Sequence, residues 1–308
     1  MILTITANPA IDIVYFVDRF DMGEVHRPIK MTYTAGGKGL NVARVSLKLG
    51  AEVGAMGFVG DFTGEYIKAK IEEMGIKNLF TQIKGETRRC INITDASGKS
   101  GEILESGPEI RAEEADRFLE TFSREVDRYD IVCVSGSLPK GLESNFYCKL
   151  VDAVNKKNKK IIIDTSGAAL KSVIEAKPFM IKPNRFELSK LLEREITTDD
   201  DVKSALKLLY DKGIRAPMIT LGKDGAMTYD GSDFYKFTPP AVKVKNSVGS
   251  GDSTSAGIAV GLDRGMELLD AIRLGMAAGV TNTQYEQTGV VSQEEVAMYY
   301  KEIKCSKV

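Results

Sequence analysis

The stretch KIIIDTS, Lys160–Ser166, sets three consecutive isoleucines between a lysine and a polar turn. Such a short β-branched run, bounded by polar residues, reads as a strand. Three companions follow the same pattern: DIVCVS (130–135), PFMIKPN (178–184) and PMITLG (217–222). Between the runs the period changes to that of a helix. Ala115, Phe118, Leu119, Phe122 and Val126 fall on one helical face, as do Val202, Ala205, Leu206 and Leu209. From about residue 112 onward, strands alternating with crossover helices predict a doubly wound α/β sheet with helices outside. LLDAIRLGMAAGV (268–280), apolar almost all round, predicts a helix buried between others.

Two segments do not fit this alternation, residues 11–34 and 86–106. In the second, CINIT alternates, turns through ASGKSG and returns as EILE, with Gly98 and Gly101 around a polar tip. Strands joined by tight turns cannot enter a parallel sheet, so they are expected in a small antiparallel layer standing off the main body. With no repeat and no Pro-rich linker, that layer is expected as a lid inserted into a single domain spanning 1–308.

The formal net charge of −1, with 28% charged residues, gives no field that would recruit nucleic acid or an anionic membrane, which leaves a small-molecule partner. Cys90, Cys133, Cys148 and Cys305 show no C-x-x-C spacing and read as reduced thiols. MILTITANPAIDIVYF lacks the basic start of a signal peptide, and no apolar run reaches the ~18 residues a bilayer span requires, so a cytoplasmic protein is expected.

The chemistry is concentrated in two glycine clusters. NSVGSGDSTSAG (246–257) places Gly249, Ser250 and Gly251 where a helix begins. Unpaired N–H groups and the positive end of the helix dipole could cradle negative charge there. The simpler reading is a turn capped by Asp252 or Ser253. Known nucleotide loops do not match: there is no G-x-x-x-x-G-K-[ST], and Thr254 replaces the third glycine of G-x-G-x-x-G. TAGGKGLNVAR (34–44) opens a second helix, with Ala43, Leu47 and Gly50 on one side. Lys38, among its glycines, suits a phosphate or a sugar hydroxyl.

AGGKG near residue 36, VGSGDS near residue 249, KPN at 182–184 and the NRFE spacing of Asn184 and Glu187 together resemble the ribokinase-like carbohydrate kinases of the PfkB type, over nearly the whole chain. The resemblance implies a three-layer αβα domain with a small β lid, ATP and Mg²⁺, and phosphoryl transfer to a sugar hydroxyl. It makes Asp252 the catalytic base, ionised beside a helix N-terminus, with Gly249, Ser250 and Gly251 holding charge on the moving phosphoryl group. Lys182 and Asn184 would contact the ATP phosphates, and Glu187 would hold Mg²⁺ through water, its plainer alternative being a solvated helix carboxylate. Thr220, Gly222, Lys223, Asp224 and Gly225 resemble the loop beside the phosphates and ribose, and Asn282 would face the adenine. On the sugar side, Asp12 and Asn41 would bind hydroxyls beside Gly36 and Gly37, while Lys38 and Arg88 clamp a phosphate already on the sugar and Arg27 adds a third cation.

The NPxxD start, AGGKGLNV and SGSLPKG (135–141) are shared by the 1-phosphofructokinases and the tagatose-6-phosphate kinases. KGETRRCI (84–91), EILESGPEI (102–110) and EQTG (286–289) lie closer to the tagatose-6-phosphate kinases. That predicts tagatose 6-phosphate as substrate, with fructose 1-phosphate as the alternative and fructose 6-phosphate also accepted. A sugar-phosphate sensor without turnover would not need Asp252 and Glu187, and the missing third glycine disfavours a dinucleotide oxidoreductase. Exposed edges of the lid sheet predict pairing with a second copy. The lone histidine, His26, is expected in a structural role.

Overall fold

A computed structural model describes residues 1–308. The chain begins with β1 (Ile2–Thr6), β2 (Ala10–Val17), β3 (Lys30–Gly36), α1 (Lys38–Lys48), β4 (Val53–Val59) and α2 (Asp61–Glu73). Short strands β5 (Lys77–Asn78) and β6 (Thr81–Gln82) lead to β7 (Arg88–Asp95), β8 (Ser100–Leu104) and α3 (Ala112–Glu125). Strict alternation follows: β9 (Ile131–Ser135), α4 (Phe146–Lys156), β10 (Lys160–Asp164), α5 (Gly167–Glu175) and β11 (Met180–Ile181). Helices α6 (Arg185–Leu191) and α7 (Asp199–Asp211) precede the strands β12 (Ala216–Thr220), β13 (Ala226–Tyr229) and β14 (Phe234–Thr238). The chain closes with α8 (Ser250–Asp263), α9 (Leu268–Asn282), α10 (Gln293–Glu302) and β15 (Lys304–Lys307).

Eleven strands form the main sheet, in the order β15-β14-β13-β12-β11-β10-β9-β1-β4-β5, with β6 also paired to β4. From β12 to β4 every pairing is parallel, and the four apolar runs are the neighbours β9 to β12. Beyond β12 the pairings are antiparallel. Period-two alternation supplies both faces. Val132, Val134, Ile161 and Ile163 point into a core with α3, α4, α5 and α7, while Ile131, Cys133 and Ile162 point into another with α1, α8, α9 and α10. Three layers result. Phe58, Phe118 and Phe146 cluster in the first core with centroids 4.8 to 6.1 Å apart, each ring contributing roughly 1.5–3 kcal/mol by burial.

The second sheet is β3-β2-β7-β8, from the two segments that broke the alternation. Its outer pairs are the expected antiparallel hairpins, but its central pair, β2 with β7, is parallel. The reason is topological: α1, β4 and α2 intervene, so the chain returns to the layer in its original direction. Ile11, Ile13 and Ala35 seat it on Leu40, Ala43, Ile67 and Ile71 of α1 and α2.

Successive strands move outward from β9 to β12, whereas the other neighbour of β1 is β4. Strand order reverses there, and the carboxyl ends of such strands border a crevice suited to ligands. Thr6, Ser135, Asp164 and Lys182 lie at those ends.

Candidate active site

Helix α8 starts from Gly249, whose φ of 81° lies in the left-handed region that glycine tolerates. Neither Asp252 nor Ser253 caps it. Ser250 N–H donates to Ser247 O at 3.3 Å, and the N–H groups of Gly249 and Gly251 have no acceptor within the chain. Behind this start, α8 is held against α9 by close backbone approach: a Cβ on Gly257 would lie 2.7 Å from Gly275 Cα. The buried carboxylate of Asp252 therefore projects from a rigid seat.

Asn41 Nδ2 on α1 donates to Asp252 Oδ2 at 2.7 Å, leaving Oδ1 free. Burial, then the charge of Asp164, push the Asp252 carboxyl up to about 6, against the pull of Asn41, Lys38 and Lys182. This exceeds the expectation of an ordinary carboxylate at a helix N-terminus, because the dipole is outweighed by desolvation and a like charge. The ionised form still predominates at neutral pH.

Asp164, the aspartate of KIIIDTS, was not among the expected site residues. It is buried at the end of β10, 2.9 Å from Lys182 Nζ and 3.7 Å from Lys38 Nζ. Burial pushes its carboxyl up, but Lys182 and Lys38 overcome that and hold it below the usual range. The signal was available, since a carboxylate ending an apolar strand must find a cation when buried. Lys182, itself buried, also reaches under the anion cradle: a Cβ on Gly251 would sit 3.4 Å from its Nζ. The carboxylates of Asp164, Asp252 and Glu187 all favour the ammonium of Lys38. Its head is thus directed toward the α8 end of the crevice.

Arg88 is held elsewhere. Its Nε and Nη2 donate to Asn8 O at 3.3 and 3.1 Å, and Nη1 to Glu105 O at 3.1 Å. The two cations expected to clamp one phosphate therefore have separate partners, because Asp164 draws Lys38 away from the second sheet. Arg27 is exposed in the β2–β3 loop and pairs with none of the other candidates. Asp12, on β2, packs its carboxylate over Gly36, where a Cβ would lie 2.1 Å from Oδ2. Burial raises Asp12 to about 6 despite Arg44 and Arg88. Gly37, with φ of 111°, caps α1.

At the β11 end, Asn184 and Glu187 form a reciprocal capping box on α6. Asn184 Oδ1 accepts from Glu187 N and Glu187 Oε2 accepts from Asn184 N, both at 2.9 Å. NRFE is thus a helix start as well as a motif. Glu187 Oε1 and the Asn184 amide nitrogen remain unengaged. Asn184 bridges Thr220 at the end of β12. Gly222, Lys223 and Asp224 form an exposed single turn beyond it. Gly225 departs from its expected role. It is buried, with φ of 92°, and its missing side chain makes room for Phe237 O of β14. Asn282 also departs from expectation: fully buried, it donates to Val248 O at 2.9 Å and accepts from Gly289 N at 2.8 Å. Both ends of its amide brace loops, so it offers nothing to an adenine. His26 hydrogen-bonds Asp21 O in the β2–β3 loop.

No group of three or more His, Cys, Asp or Glu side chains converges anywhere in the chain. With Asp164 engaged by two lysines, Glu187 Oε1 is the donor available on the nucleotide side. One carboxylate oxygen fits Mg²⁺, a hard cation that keeps several waters and takes other ligands from phosphates.

Residues 5–295 match the pattern of the pfkB family carbohydrate kinases. The chain belongs to the PfkB family. A candidate phosphofructokinase from Staphylococcus aureus is 30% identical, with 100% of this chain and 99% of that one covered and a TM-score of 0.88. Phosphofructokinase-2 from Escherichia coli, solved with fructose-6-phosphate, is 27% identical over 98% of each chain, with a TM-score of 0.89. A candidate 1-phosphofructokinase from Thermotoga maritima shares the fold, at 23% identity, 100% and 99% coverage and a TM-score of 0.91. This PfkB member is an ATP-dependent sugar kinase that works with Mg²⁺. No helix is long and apolar enough to cross a membrane.

Proposed function

We propose that this PfkB kinase phosphorylates a ketohexose phosphate, and that its preferred acceptor is D-tagatose 6-phosphate, giving D-tagatose 1,6-bisphosphate and ADP. The observation that carries the reading is the free Oδ1 of buried Asp252, flanked by Lys38, Lys182 and the unpaired N–H groups of Gly249 and Gly251. The sugar hydroxyl oxygen attacks the γ-phosphorus, the bond to the bridging oxygen of ADP breaks, and the hydroxyl proton passes to Asp252 Oδ1. The two lysines and the α8 N–H groups stabilise charge on the phosphoryl group in flight. Glu187 would hold Mg²⁺ through water, and the bound cation would supply charge neutralisation at the nucleotide phosphates.

Asp12 binds the sugar hydroxyls, whereas Asn41, expected to do likewise, has both ends of its amide engaged by Asp252 and Arg44 and holds the base beside them. Arg88, fixed by Asn8 and Glu105, keeps two N–H donors for the phosphate the sugar already carries. Lys38 acts at the phosphoryl in transfer, a role its approach to Asp164 supports better than a clamp. Thr220, Gly222, Lys223 and Asp224 border the nucleotide. KGETRRCI, EILESGPEI and EQTG favour tagatose 6-phosphate. Phosphofructokinase-2 from Escherichia coli supports fructose 6-phosphate as a second reading, and the NPxxD start, AGGKGLNV and SGSLPKG keep fructose 1-phosphate as the alternative. A coupled assay for ADP release comparing kcat/KM on the three sugars decides between them. The highest value is expected for tagatose 6-phosphate; a strong preference for fructose 1-phosphate would reverse the assignment.

The second sheet serves as a lid and as the face of a homodimer. Met31, Tyr33 and Ile103, on one face of it by register, are 52%, 48% and 59% exposed, and Val25 and Ile29 in the β2–β3 loop are 85% and 74% exposed. A second copy of the same sheet complements such a self-similar apolar surface. Light scattering should find twice 33.7 kDa; a 33.7 kDa species alone would refute the pairing.

A further inference from the structure

Arg44 belongs to neither the sugar side nor the nucleotide side, yet it sits between them. It lies three residues after Asn41 on α1, and its guanidinium donates from Nη1 to Ala35 O at the end of β3 and from Nη2 to Asn41 Oδ1. Gly289 leaves room for it: a Cβ there would stand 3.2 Å from Arg44 Nη2 and 3.4 Å from Asn41 Oδ1. Burial lowers the Arg44 pKa and the carboxylates of Asp12 and Asp252 raise it again, so one guanidinium lies in the field of both.

An asparagine amide carries an acceptor at one end and donors at the other, and its ring of partners decides which end faces where. Arg44 can only donate. With Oδ1 drawn to the guanidinium, Nδ2 must point at Asp252. The opposite flip would oppose Asn41 Oδ1 to an ionised carboxylate and an NH₂ group to a guanidinium, two repulsions in place of two hydrogen bonds.

We propose that Arg44 is a positioning residue which fixes the flip of Asn41 and thereby the orientation and ionisation of Asp252. The inference rests on the reading of Asp252 as base. The hydrogen bonds of Arg44 go to Ala35 O and Asn41 Oδ1 and none to Asp252, so it acts on the carboxylate through an amide. The other groups acting on Asp252 are Lys38 on α1, Asp164 at the end of β10 and Lys182 after β11, and none of them contacts Asn41 Oδ1.

The test compares wild type, Arg44→Lys, Arg44→Met, Asn41→Ala and the double variant Asn41→Ala/Arg44→Met by kcat, KM and the acid limb of the kcat profile. Wild-type ADP release is measured first. None with any ketohexose phosphate would overturn the base assignment and this inference with it. Given turnover, Arg44→Met is expected to lower kcat about 10- to 100-fold, the worth of one hydrogen bond to a charged group, and to move the acid limb to higher pH. In the Asn41→Ala background the same change is expected to cost less than about threefold, because the amide it orients is gone. Arg44→Lys keeps the charge without the planar fork and is expected to fall between, and it carries the test if Arg44→Met does not fold. Multiplicative losses in the double variant, or wild-type kcat and acid limb in Arg44→Lys, would overturn the role.

Discussion

Gly36–Gly39 and Gly249–Gly251 both open a helix from glycine with positive φ, yet they use the missing side chains for opposite ends. At the first cluster the space is filled by the protein itself. A Cβ on Gly36 would meet Asp12 Oδ2 at 2.1 Å, and one on Gly39 would meet Thr6 Oγ1 at 2.3 Å. At the second, Thr288 Cγ2 fills the place of a Gly249 Cβ at 2.3 Å, but the space beside Gly251 holds only the Lys182 ammonium at 3.4 Å, and two N–H groups are unpaired. The first cluster locks the second sheet and β1 around Asp12; the second turns unpaired N–H groups and an ammonium toward Asp252. A glycine-rich sequence alone does not distinguish a packed joint from an anion site. What distinguishes them is whether another group already occupies the place of the Cβ.

The largest effect separating the two regions is expected from Asp252→Asn. Loss of the base should lower kcat by about 10²–10⁴-fold with little change in ATP affinity, measured by steady-state kinetics and nucleotide titration. Stability should move the other way. The folded-state pKa of about 6 lies above the ordinary carboxyl value of 3.8, so the folded chain binds this proton more tightly than the unfolded one. The stabilising contribution is present below about pH 4 and is lost as pH rises through 6. At pH 7 the ionised group is a burden that Asn removes, and Tm should rise. A lower Tm would contradict the raised pKa.

Next in size is a paired substitution. Gly36→Ala drives a methyl into Asp12, and should cost about 1–3 kcal/mol of stability and raise KM for the sugar. Gly251→Ala, in the first turn of α8, should leave stability within about 0.5 kcal/mol but lower kcat about tenfold, since the methyl crowds the cradle above Lys182. Equal destabilisation by both would erase the distinction between joint and anion site. A milder expectation concerns pH: kcat should fall as pH drops through about 6, where Asp252 takes up its proton. A flat profile down to pH 4.5 would exclude Asp252 as the titrating base.

The runs that became β9 to β12 were legible because short apolar stretches holding β-branched residues, three in succession in KIIIDTS, suit a strand covered on both faces. The antiparallel edge was not, since FYKFT and KCSK carry polar residues on an exposed border and look like loop. Nor was the parallel β2–β7 pair, whose partners lie far apart in sequence and meet only through the path of α1, β4 and α2. In the site, Asp252 and Lys182 stood in short motifs with few alternative uses. Asn282 misled because a polar residue ending an apolar helix resembles a ligand contact when its backbone partners, Val248 and Gly289, come from distant loops. Arg44 and Asp164 were missed for the same reason. Each acts through a neighbour that the linear order does not display.

The smallest expected effect is at Glu187, where local structure and metal binding overlap. Its Oε2 serves the capping box and its Oε1 is free. Glutamine can take the same capping role, so Glu187→Gln should leave Tm nearly unchanged. The substituted amide presents a neutral oxygen where a carboxylate faced the water around Mg²⁺. Losing a carboxylate that holds a metal's water weakens a metal site by about 10-fold or more, and less where phosphates supply most of the ligation. The Mg²⁺ concentration for half-maximal activity should therefore rise a few-fold at constant ATP, with kcat at saturating metal nearly retained. An unchanged Mg²⁺ requirement together with an unchanged Tm would leave Glu187 as a helix cap alone. The nucleotide side of the crevice would then resemble the first glycine cluster, a joint and not a ligand site.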